Sequence, residues 1–238
     1  MSCLRSFYDY LCKRQLLPSN PVRLVDMPKI KEKAIIQLDP DEVASLLDYI
    51  ENYGNQLTGV KLYHYNKQKY RDIAIVTLLL GTGVRVSELV GLNISDIDFK
   101  NNGIRILRKG GNEMIVYFGE EVEKALRDYL EISRNAITPL SGHEDALFLS
   151  GQRKRISVDA VEKMVKKYAS AISAKTITPH KLRSTYGTAL YRETGDIYLV
   201  ADVLGHADVN TTKKHYAKLS DARRRAASKA VTLREKLN

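Results

Sequence analysis

A long apolar run over residues 71–92 constrains the fold of this 238-residue chain more than any other feature. The segment RDIAIVTLLLGTGVRVSELVGL is apolar almost all round as far as Gly81, and a helix with that pattern is buried on every side. A chain of this length can bury a sizeable core, which such a helix would cross. The run therefore predicts a helix at the centre of a mainly helical domain.

Two charged residues follow this run. Arg85 comes just after the glycine-rich end of the predicted helix, and Glu88 lies three residues further on. In a short helix, residues three apart leave the same face, so the carboxylate can hold the guanidinium in place. A salt bridge that only ties two helices together is one interpretation of the pair, and an arginine held for chemistry is the other.

Helix caps and hydrophobic periodicity place the other elements. Asp39 and Pro40 predict the start of a helix that extends to about Asn52, whereas residues 53–69 predict a loop or a small hairpin. Further elements are predicted as an amphipathic helix over 119–134, a short strand over 146–149, a helix capped by Ser157 that extends to about Ala171, and a helix that begins at Pro179. The fold class is therefore mainly α with a small antiparallel β-sheet (α+β).

The sheet is predicted over residues 103–118, GIRILRKGGNEMIVYF. Ile104 and Ile106, with Ile115 and Tyr117, form an alternating apolar pattern, and the glycines between the strands favour a tight turn. Lys109 would lie exposed at the tip of this hairpin. The same alternation sends its neighbour Arg108 to the opposite face.

The N-terminal part of the chain has a different character. Residues 2–17 have the spacing of an amphipathic helix that is too short to form a domain alone. A proline-containing break follows, and residues 22–33 predict an extended basic linker. The boundaries predicted from these patterns are a terminal helix with its linker over 1–33, a main domain over 34–220 and a C-terminal basic helix over 221–238.

The net charge of +10 is concentrated at one end of the chain. Residues 1–150 hold 19 Lys and Arg against 20 Asp and Glu, whereas residues 151–238 hold 19 against 8. Such an excess indicates a polyanion partner such as nucleic acid. The candidate phosphate contacts in its first part are Arg153, Lys154, Arg155, Lys163, Lys166 and Lys167.

Several classes of protein and site are not indicated. The sequence has neither a run of about 18 apolar residues nor a signal peptide, so we expect a cytoplasmic protein without a membrane span. Cys3 and Cys12 lack the spacing of a zinc site or a disulfide framework and are expected to be reduced thiols.

Residues 176–219 hold four groups that can act on one phosphodiester: His180, Arg183, His206 and Tyr216. His180 and Arg183 lie on one face of the helix that begins at Pro179, near an N-terminus that favours anions. His206 follows a predicted helix end at Leu204-Gly205, and Tyr216 lies about two turns into a further predicted helix. The spacing predicts that three helix ends converge on one anion.

This pattern resembles the tyrosine recombinases, which include phage and conjugative-element integrases and Xer-type resolvases. The resemblance is carried by His-x-x-Arg, by Leu-Gly-His, by a tyrosine ten residues later that Thr211-Thr212 precede, and by GTGVRVSELVGLNISDID around Arg85. It extends over about residues 34–220. It implies the DNA breaking and rejoining catalytic domain of that family, in which Lys109 occupies the position of the catalytic lysine.

The chemistry of these groups supports the same function. A tyrosine hydroxyl, with a pKa of about 10, needs a base such as His180 before it attacks phosphorus. Arg85 and Arg183 can clamp the non-bridging oxygens, and His206 can donate to them. Lys109 is the candidate acid for the departing 5′ oxygen.

The product of this reaction would be a 3′-phosphotyrosyl enzyme that a different 5′ hydroxyl can reseal without ATP. Because Glu88, Asp202 and Asp208 are widely spread in the sequence, neither a metal ion nor another cofactor is predicted. Tyr186 and Tyr191 are rival nucleophiles, but their position after Arg183 predicts core residues.

The resemblance also implies how such a chain would assemble. The family predicts a homo-tetramer on two double-stranded DNA sites, with a dimer on each duplex, a Holliday junction and possible accessory DNA-bending proteins. It implies a bacterial, chromosome-associated protein that integrates or excises a mobile element. Most of the family's N-terminal core-binding domain is then missing from the chain, and a short native N-terminal arm is the alternative. Whether the C-terminal helix packs on its own domain or on a neighbour stays open. The alternatives are a type IB topoisomerase-like relaxing enzyme and a non-catalytic protein that binds DNA ends.

Overall fold

The computed structural model describes residues 2–25, 36–108 and 111–205 of the chain. These residues belong to two compact units, Met1–Ala34 and Ile35–Asn238. Among the helices within the described ranges, none has both the length and the apolar character needed to cross a membrane.

The N-terminal unit contains helix α1, Ser2–Lys13, and a 3₁₀ helix, Pro21–Leu24. Asn20 connects the two, because its side chain accepts from the Val22 backbone N–H at 2.9 Å and donates to the Asp9 carboxylate at 2.8 Å. The expectation of an extended linker from residue 22 is therefore wrong for the residues of the 3₁₀ helix. The asparagine cap and the proline at the first helical position account for the helical turn.

The larger unit is mainly helical, as predicted, and has one small sheet. Its helices are α2 (Pro40–Asn52), α3 (Gly59–Thr82), α4 (Val86–Gly91), α5 (Glu120–Asp128), α6 (Val158–Ile172), α7 (Pro179–Thr194) and α8 (Ile197–Leu204). Its strands are β1 (Ile97–Asp98), β2 (Gly103–Leu107) and β3 (Glu113–Tyr117). Short 3₁₀ helices cover Tyr53–Gln56 and Ile94–Asp96, and a π-helical turn covers Tyr129–Arg134.

Helix α3 crosses the centre of this unit, as its apolar run predicts. Ala74, Ile75, Leu78 and Leu79 are fully buried in the main core. The helix packs against α2, α5 and α7. It ends where Gly83 takes a left-handed conformation with φ 63°, and this end supplies part of the site described below.

The prediction of a loop or hairpin over residues 53–69 is wrong, because α3 begins at Gly59. Tyr65 contributes to the difference, since its side chain is buried and the oxygen of its hydroxyl, a single donor, lies 2.8 and 2.7 Å from the carbonyl oxygens of Ile50 and Glu51. These carbonyls are in the last turn of α2, where a helix lacks internal donors. A tyrosine that appeared to belong to a polar loop thus anchors two helices to one another.

The strands form an antiparallel sheet in the order β1-β2-β3, and the predicted hairpin is confirmed. Its buried face differs from the predicted pattern on the second strand. Ile104 and Ile106 are buried opposite Val116 and Met114, whereas Ile115 and Tyr117 are 54% and 67% exposed.

The prediction of a strand over residues 146–149 is also wrong. The described backbone there makes only isolated bridges, Asn93 with Ala146 and Leu149 with Arg155. Side chains satisfy much of the remaining backbone, because Arg134 Nε donates to the Ala146 carbonyl at 3.1 Å and Tyr129 donates to the Leu147 carbonyl at 3.0 Å. A segment buried in this way does not need a neighbouring strand.

Caps in the local sequence begin α6, α7 and α8 and end α8. Ser157 caps α6, because its hydroxyl accepts from the Ala160 N–H at 3.2 Å. Pro179 occupies the first turn of α7, and Asp196 caps α8. Gly205 ends α8 in a left-handed conformation with φ 61°.

Candidate active site

Three arginines converge on the C-terminal end of α8. We refer to Arg85, Arg108 and Arg183 as the arginine cluster. Together they donate to the four consecutive carbonyl oxygens of residues 202–205. These carbonyls carry the partial negative charge of a helix C-terminus, where cations are stabilised.

Arg183 holds the centre of this arrangement. It lies in the second turn of α7, is 5% exposed, and donates from Nη1 to the Gly83 carbonyl and from Nη2 to the Leu204 carbonyl. One guanidinium therefore binds the C-terminal ends of both α3 and α8. A planar group with several fixed donors is suited to this bridge, and a lysine ammonium would not reproduce its geometry.

Arg85 approaches the same helix end from the start of α4. Its Nη2 donates to the Gly205 carbonyl at 3.0 Å, and its Nη1 donates to the Glu88 carboxylate at 2.7 Å. The other Glu88 oxygen accepts from the Arg85 backbone N–H at 2.7 Å. Glu88 is buried, with 4% of its side chain exposed, whereas 39% of the Arg85 side chain is exposed. The carboxylate thus fixes a guanidinium that solvent and a ligand can still reach.

Arg108 reaches the cluster from the end of β2. Its Nη2 donates to the Val203 carbonyl at 2.8 Å, and its Nη1 lies 3.4 Å from the Asp202 carbonyl. Burial lowers the pKa of Arg108, the Glu88 charge raises it, and the Arg85 charge lowers it further. The Arg108 guanidinium is therefore held close to the positive charge of Arg85 in a partly buried place.

The sequence patterns above do not predict this role of Arg108. Strand alternation predicts only that Arg108 and Lys109 face opposite sides of the hairpin. The burial of Ile104 and Ile106 instead defines an inward face of β2, and a period of two continues that face to Arg108. The alternation of Ile104, Ile106 and Arg108 is visible in the sequence. The sequence does not show that this face of β2 meets the end of α8.

His180 lies in the first turn of α7, and its ring is exposed. Its pKa is lowered from the usual value, first by partial desolvation and then by the charges of Lys181, Arg183 and Arg85. All of these effects disfavour the imidazolium, so the ring is neutral at pH 7 and can accept a proton. This state suits the general base that the sequence predicts.

The structure therefore brings Arg85, His180 and Arg183 to one place. Lys109, His206 and Tyr216 lie outside the described residues. Their chain neighbours are informative, since Lys109 follows Arg108 and His206 follows Gly205, and both neighbours belong to the arrangement at the end of α8.

The candidate phosphate contacts after residue 150 differ in their surroundings. Arg153, Lys154 and Lys166 are exposed. Arg155 instead donates to the carbonyls of Val90 and Leu92 at 3.1 and 2.7 Å and to Asn93 at 2.5 Å, which commits its guanidinium to the protein. Lys163 pairs with Asp159 at 2.8 Å, and Lys167 lies over the rings of Tyr53 and Tyr168.

The rival tyrosines belong to the scaffold. Tyr191 is 8% exposed and packs in a small apolar cluster with Val200 and Leu204. Tyr186 is half-buried beside Gly83, and desolvation raises its pKa, which opposes formation of a phenoxide. Among residues 2–25, 36–108 and 111–205, no group of three or more His, Cys, Asp or Glu is placed to hold a metal ion.

The model of the phage integrase family matches residues 37–223. Tyrosine recombinase XerC of Caldanaerobacter subterraneus subsp. tengcongensis is 36% identical over 233 residues, which are 95% of this chain and 60% of that protein. Tyrosine recombinase XerS of Streptococcus agalactiae serotype III is 38% identical over 204 residues, which are 84% of this chain and 56% of that protein.

Solved structures extend the comparison to the fold. The crystal structure of XerA recombinase is 33% identical, with a TM-score of 0.64 over 80% of this chain and 61% of that one. The Tn1549 transposon integrase, solved in complex with transposon right end DNA, shares the fold at 22% identity, with a TM-score of 0.71 over 95% of this chain and 77% of that one. The chain spans about three fifths of the length of the curated relatives it matches.

Proposed function

Because the chain belongs to the phage integrase family, we propose that it is the catalytic part of a site-specific DNA recombinase. The reaction is the breaking and rejoining of DNA through a 3′-phosphotyrosyl intermediate. The observation that carries this proposal is the convergence of Arg85 and Arg183 on one helix end. His180 lies close enough for both of their charges to lower its pKa.

Each group has a role that follows from its chemistry. His180, neutral at pH 7, takes the proton of the Tyr216 hydroxyl as that oxygen attacks phosphorus. Arg85 and Arg183 stabilise the charge that develops on the non-bridging oxygens, and His206 donates to the same oxygens. Lys109 gives a proton to the 5′ oxygen as its bond to phosphorus breaks, which leaves a free 5′ hydroxyl.

Rejoining is the same reaction in reverse. A 5′ hydroxyl from another strand attacks the phosphotyrosine and gives its proton to Lys109, the tyrosine leaves with the proton that His180 returns, and the ester bond passes to the new strand. No nucleotide triphosphate and no metal ion is needed in this scheme. Exchange of one strand pair at a time produces a Holliday junction.

Double-stranded DNA is the proposed partner, and exposed cations on α6 support this part of the proposal. Lys166, with the exposed Lys163 and Lys167 on the same helix, would contact DNA phosphates, and such contacts do not depend on the base sequence. The related XerH recombinase was solved on its difH substrate, and the Tn1549 integrase on circular intermediate DNA. We further propose a tetramer on two duplexes, accessory DNA-bending proteins, and a cytoplasmic, chromosome-associated location.

The domain assignment is part of the proposal as well. Residues 34–220 would form the catalytic domain, residues 1–33 would be the terminal helix and linker of a truncated core-binding domain, and residues 221–238 would pack on this protomer or on a neighbour. The match of the family model to residues 37–223 supports the catalytic boundaries.

A covalent adduct assay tests the proposed function. The chain is incubated with a pool of nicked duplexes of randomised sequence, and adducts are separated on a denaturing gel and sequenced. We expect an adduct that forms in EDTA and that Tyr216→Phe abolishes while DNA affinity is retained. An adduct that survives Tyr216→Phe would identify another nucleophile. Absence of any adduct would leave a DNA-end-binding protein, and relaxation of supercoils without exchange between sites would favour a topoisomerase.

A further inference from the structure

We propose that Arg108 is a positioning residue that ties the turn carrying Lys109 to the C-terminal end of α8. This inference rests on the proposed function, because it concerns how the candidate acid Lys109 is held for the same reaction.

The backbone of Arg108 forms the base of the hairpin turn. Its N–H donates to the Asn112 carbonyl at 2.9 Å, and its own carbonyl accepts from the Gly111 N–H at 3.1 Å. Lys109 and Gly110 are the residues between these two bonds. These two bonds fix the backbone of Arg108, the residue that directly precedes Lys109 in the sequence.

The side chain of Arg108 connects this turn to a different part of the chain. It donates to the carbonyls of Val203 and Asp202, which are 95 and 94 residues away in sequence. The next two carbonyls, of Leu204 and Gly205, accept from Arg183 and Arg85. The same helix end is thus bound by the two arginines proposed to hold the phosphate and by the arginine that precedes Lys109.

Gly205 lies directly against the Arg108 guanidinium. A Cβ added to Gly205 would collide with the Arg108 guanidinium, and the φ of 61° is a second reason for glycine at this position. Within the described ranges, the buried Arg108 Nε also has no hydrogen-bond partner. A buried donor without a partner costs about 1–3 kcal/mol, which is set against the two hydrogen bonds that the Nη atoms make.

Positioning of Lys109 by Arg108 can be separated from general folding by changing the leaving group. A 5′-bridging oxygen must be protonated as it leaves, whereas a 5′-bridging sulfur leaves as a thiolate, since the pKa of a thiol is about 8.5. In both substrates the tyrosine oxygen forms a bond to phosphorus as the bond to the 5′ atom breaks. Only the oxygen substrate needs Lys109.

The experiment measures single-turnover adduct formation on nicked duplexes. Their sequence is the one recovered from the adducts of the randomised pool, and the scissile 5′ position carries either oxygen or sulfur. Wild type, Lys109→Ala, Arg108→Ala and Arg108→Lys are compared. On oxygen we expect Lys109→Ala to be slower by roughly 100-fold or more and Arg108→Ala by roughly tenfold, in the range of general acid effects. On the sulfur substrate, the adduct rates of Lys109→Ala and Arg108→Ala should return to within about threefold of the wild-type rate. On the oxygen substrate, Arg108→Lys should form the adduct faster than Arg108→Ala.

Arg105→Ala is the matched control. Arg105 lies on the same strand, with 53% of its side chain exposed and paired with Asp96 at 2.8 Å. We expect wild-type adduct rates on both substrates. Circular dichroism and a thermal melt of each variant measure folding, and Arg108→Lys keeps the test valid if Arg108→Ala does not fold.

Two outcomes would overturn the inference while leaving the proposed function intact. In one, Arg108→Ala or Arg108→Lys is slow on oxygen and equally slow on sulfur, although Lys109→Ala is rescued. In the other, Arg108→Ala cleaves oxygen and sulfur substrates at wild-type rates. If wild type forms no adduct on either substrate, the proposed function itself fails.

Discussion

Replacement of Glu88 by glutamine tests how Arg85 is held. The buried carboxylate accepts from both the backbone N–H and Nη1 of Arg85, each at 2.7 Å. Glutamine has the same shape but offers only one oxygen for these two donors. One of the two hydrogen bonds from Arg85 is lost, the amide N–H of the glutamine faces an Arg85 donor, and the Arg85 guanidinium loses its counter-charge.

The magnitude follows from the burial of the two partners. A hydrogen bond to a charged group contributes about 1.5–3 kcal/mol. Because 39% of the Arg85 side chain is exposed, solvent screens part of this interaction. We therefore expect Glu88→Gln to lower the free energy of unfolding by about 1–2 kcal/mol, which for a domain of this size corresponds to a fall in Tm of about 2–8 °C.

The effect on chemistry should exceed the effect on folding. Glu88 does not contact the phosphate in the proposed site, but an Arg85 without its partner samples other orientations. We expect single-turnover adduct formation to slow by about tenfold or more, which is the usual cost when a group that orients a functional residue is lost. Urea unfolding and the adduct assay on a common nicked duplex give the two quantities.

Asp96→Asn is the matched control for this experiment. Asp96 accepts from the Asn93 backbone N–H at 2.9 Å and from Arg105 at 2.8 Å, which repeats the arrangement of Glu88 away from the arginine cluster. We expect a comparable loss of stability and an unchanged adduct rate. If Glu88→Gln cleaves at the wild-type rate, or if both variants are slowed equally, the reasoning about Arg85 is refuted.

Three further predictions follow from the same geometry. Gly205→Ala should lower the free energy of unfolding by about 1–3 kcal/mol, from the left-handed backbone alone, and should slow adduct formation because its Cβ displaces Arg108; unchanged melting and rate would contradict this. Because the pKa of His180 is lowered, the adduct rate should be constant near neutral pH and fall only below the ordinary histidine pKa of 6.5, and this fall should be absent from the residual rate of a His180→Ala variant. Arg155→Ala should reduce thermal stability more than DNA affinity, whereas Lys166→Ala should weaken DNA binding with a smaller salt dependence and an unchanged Tm, as binding titrations at several salt concentrations would measure.

Much of the fold can be predicted because its helix ends are determined locally. Asp39 accepts from the Glu42 N–H and Glu42 accepts from the Asp39 N–H, so that helix start depends on four consecutive residues. The left-handed glycines at Gly83 and Gly205 likewise end their helices at the predicted positions. The apolar run before Gly83 has no polar face, which leaves a buried helix as its natural interpretation.

The errors arise where a distant partner decides the local structure. Tyr65 lies in a segment rich in lysine and tyrosine, and its hydroxyl meets the end of α2, a partner that the local sequence does not indicate. Residues 146–149 look like a strand, but their carbonyls are satisfied in part by Tyr129 and Arg134. No local pattern gives the position of either partner in space.

In the candidate site, too, the sequence predicts local pairs of residues but not the packing of distant ones. Spacing alone puts His180 and Arg183 on one helix face, and Glu88 beside Arg85. That α8 ends between Arg85, Arg108 and Arg183 depends on tertiary packing, and no period in the sequence encodes it. A resemblance at the level of motifs supplied the expectation that separated arginines meet.

A crystal structure of the chain on a DNA duplex in which orthovanadate replaces the scissile phosphate would test the proposed active site most directly. We expect vanadium bonded to the Tyr216 hydroxyl oxygen, with the guanidiniums of Arg85 and Arg183 and the ring of His180 within hydrogen-bond distance of vanadate or of that tyrosine oxygen. Vanadate bound away from these arginines, or bonded to a different side chain, would contradict the proposed site.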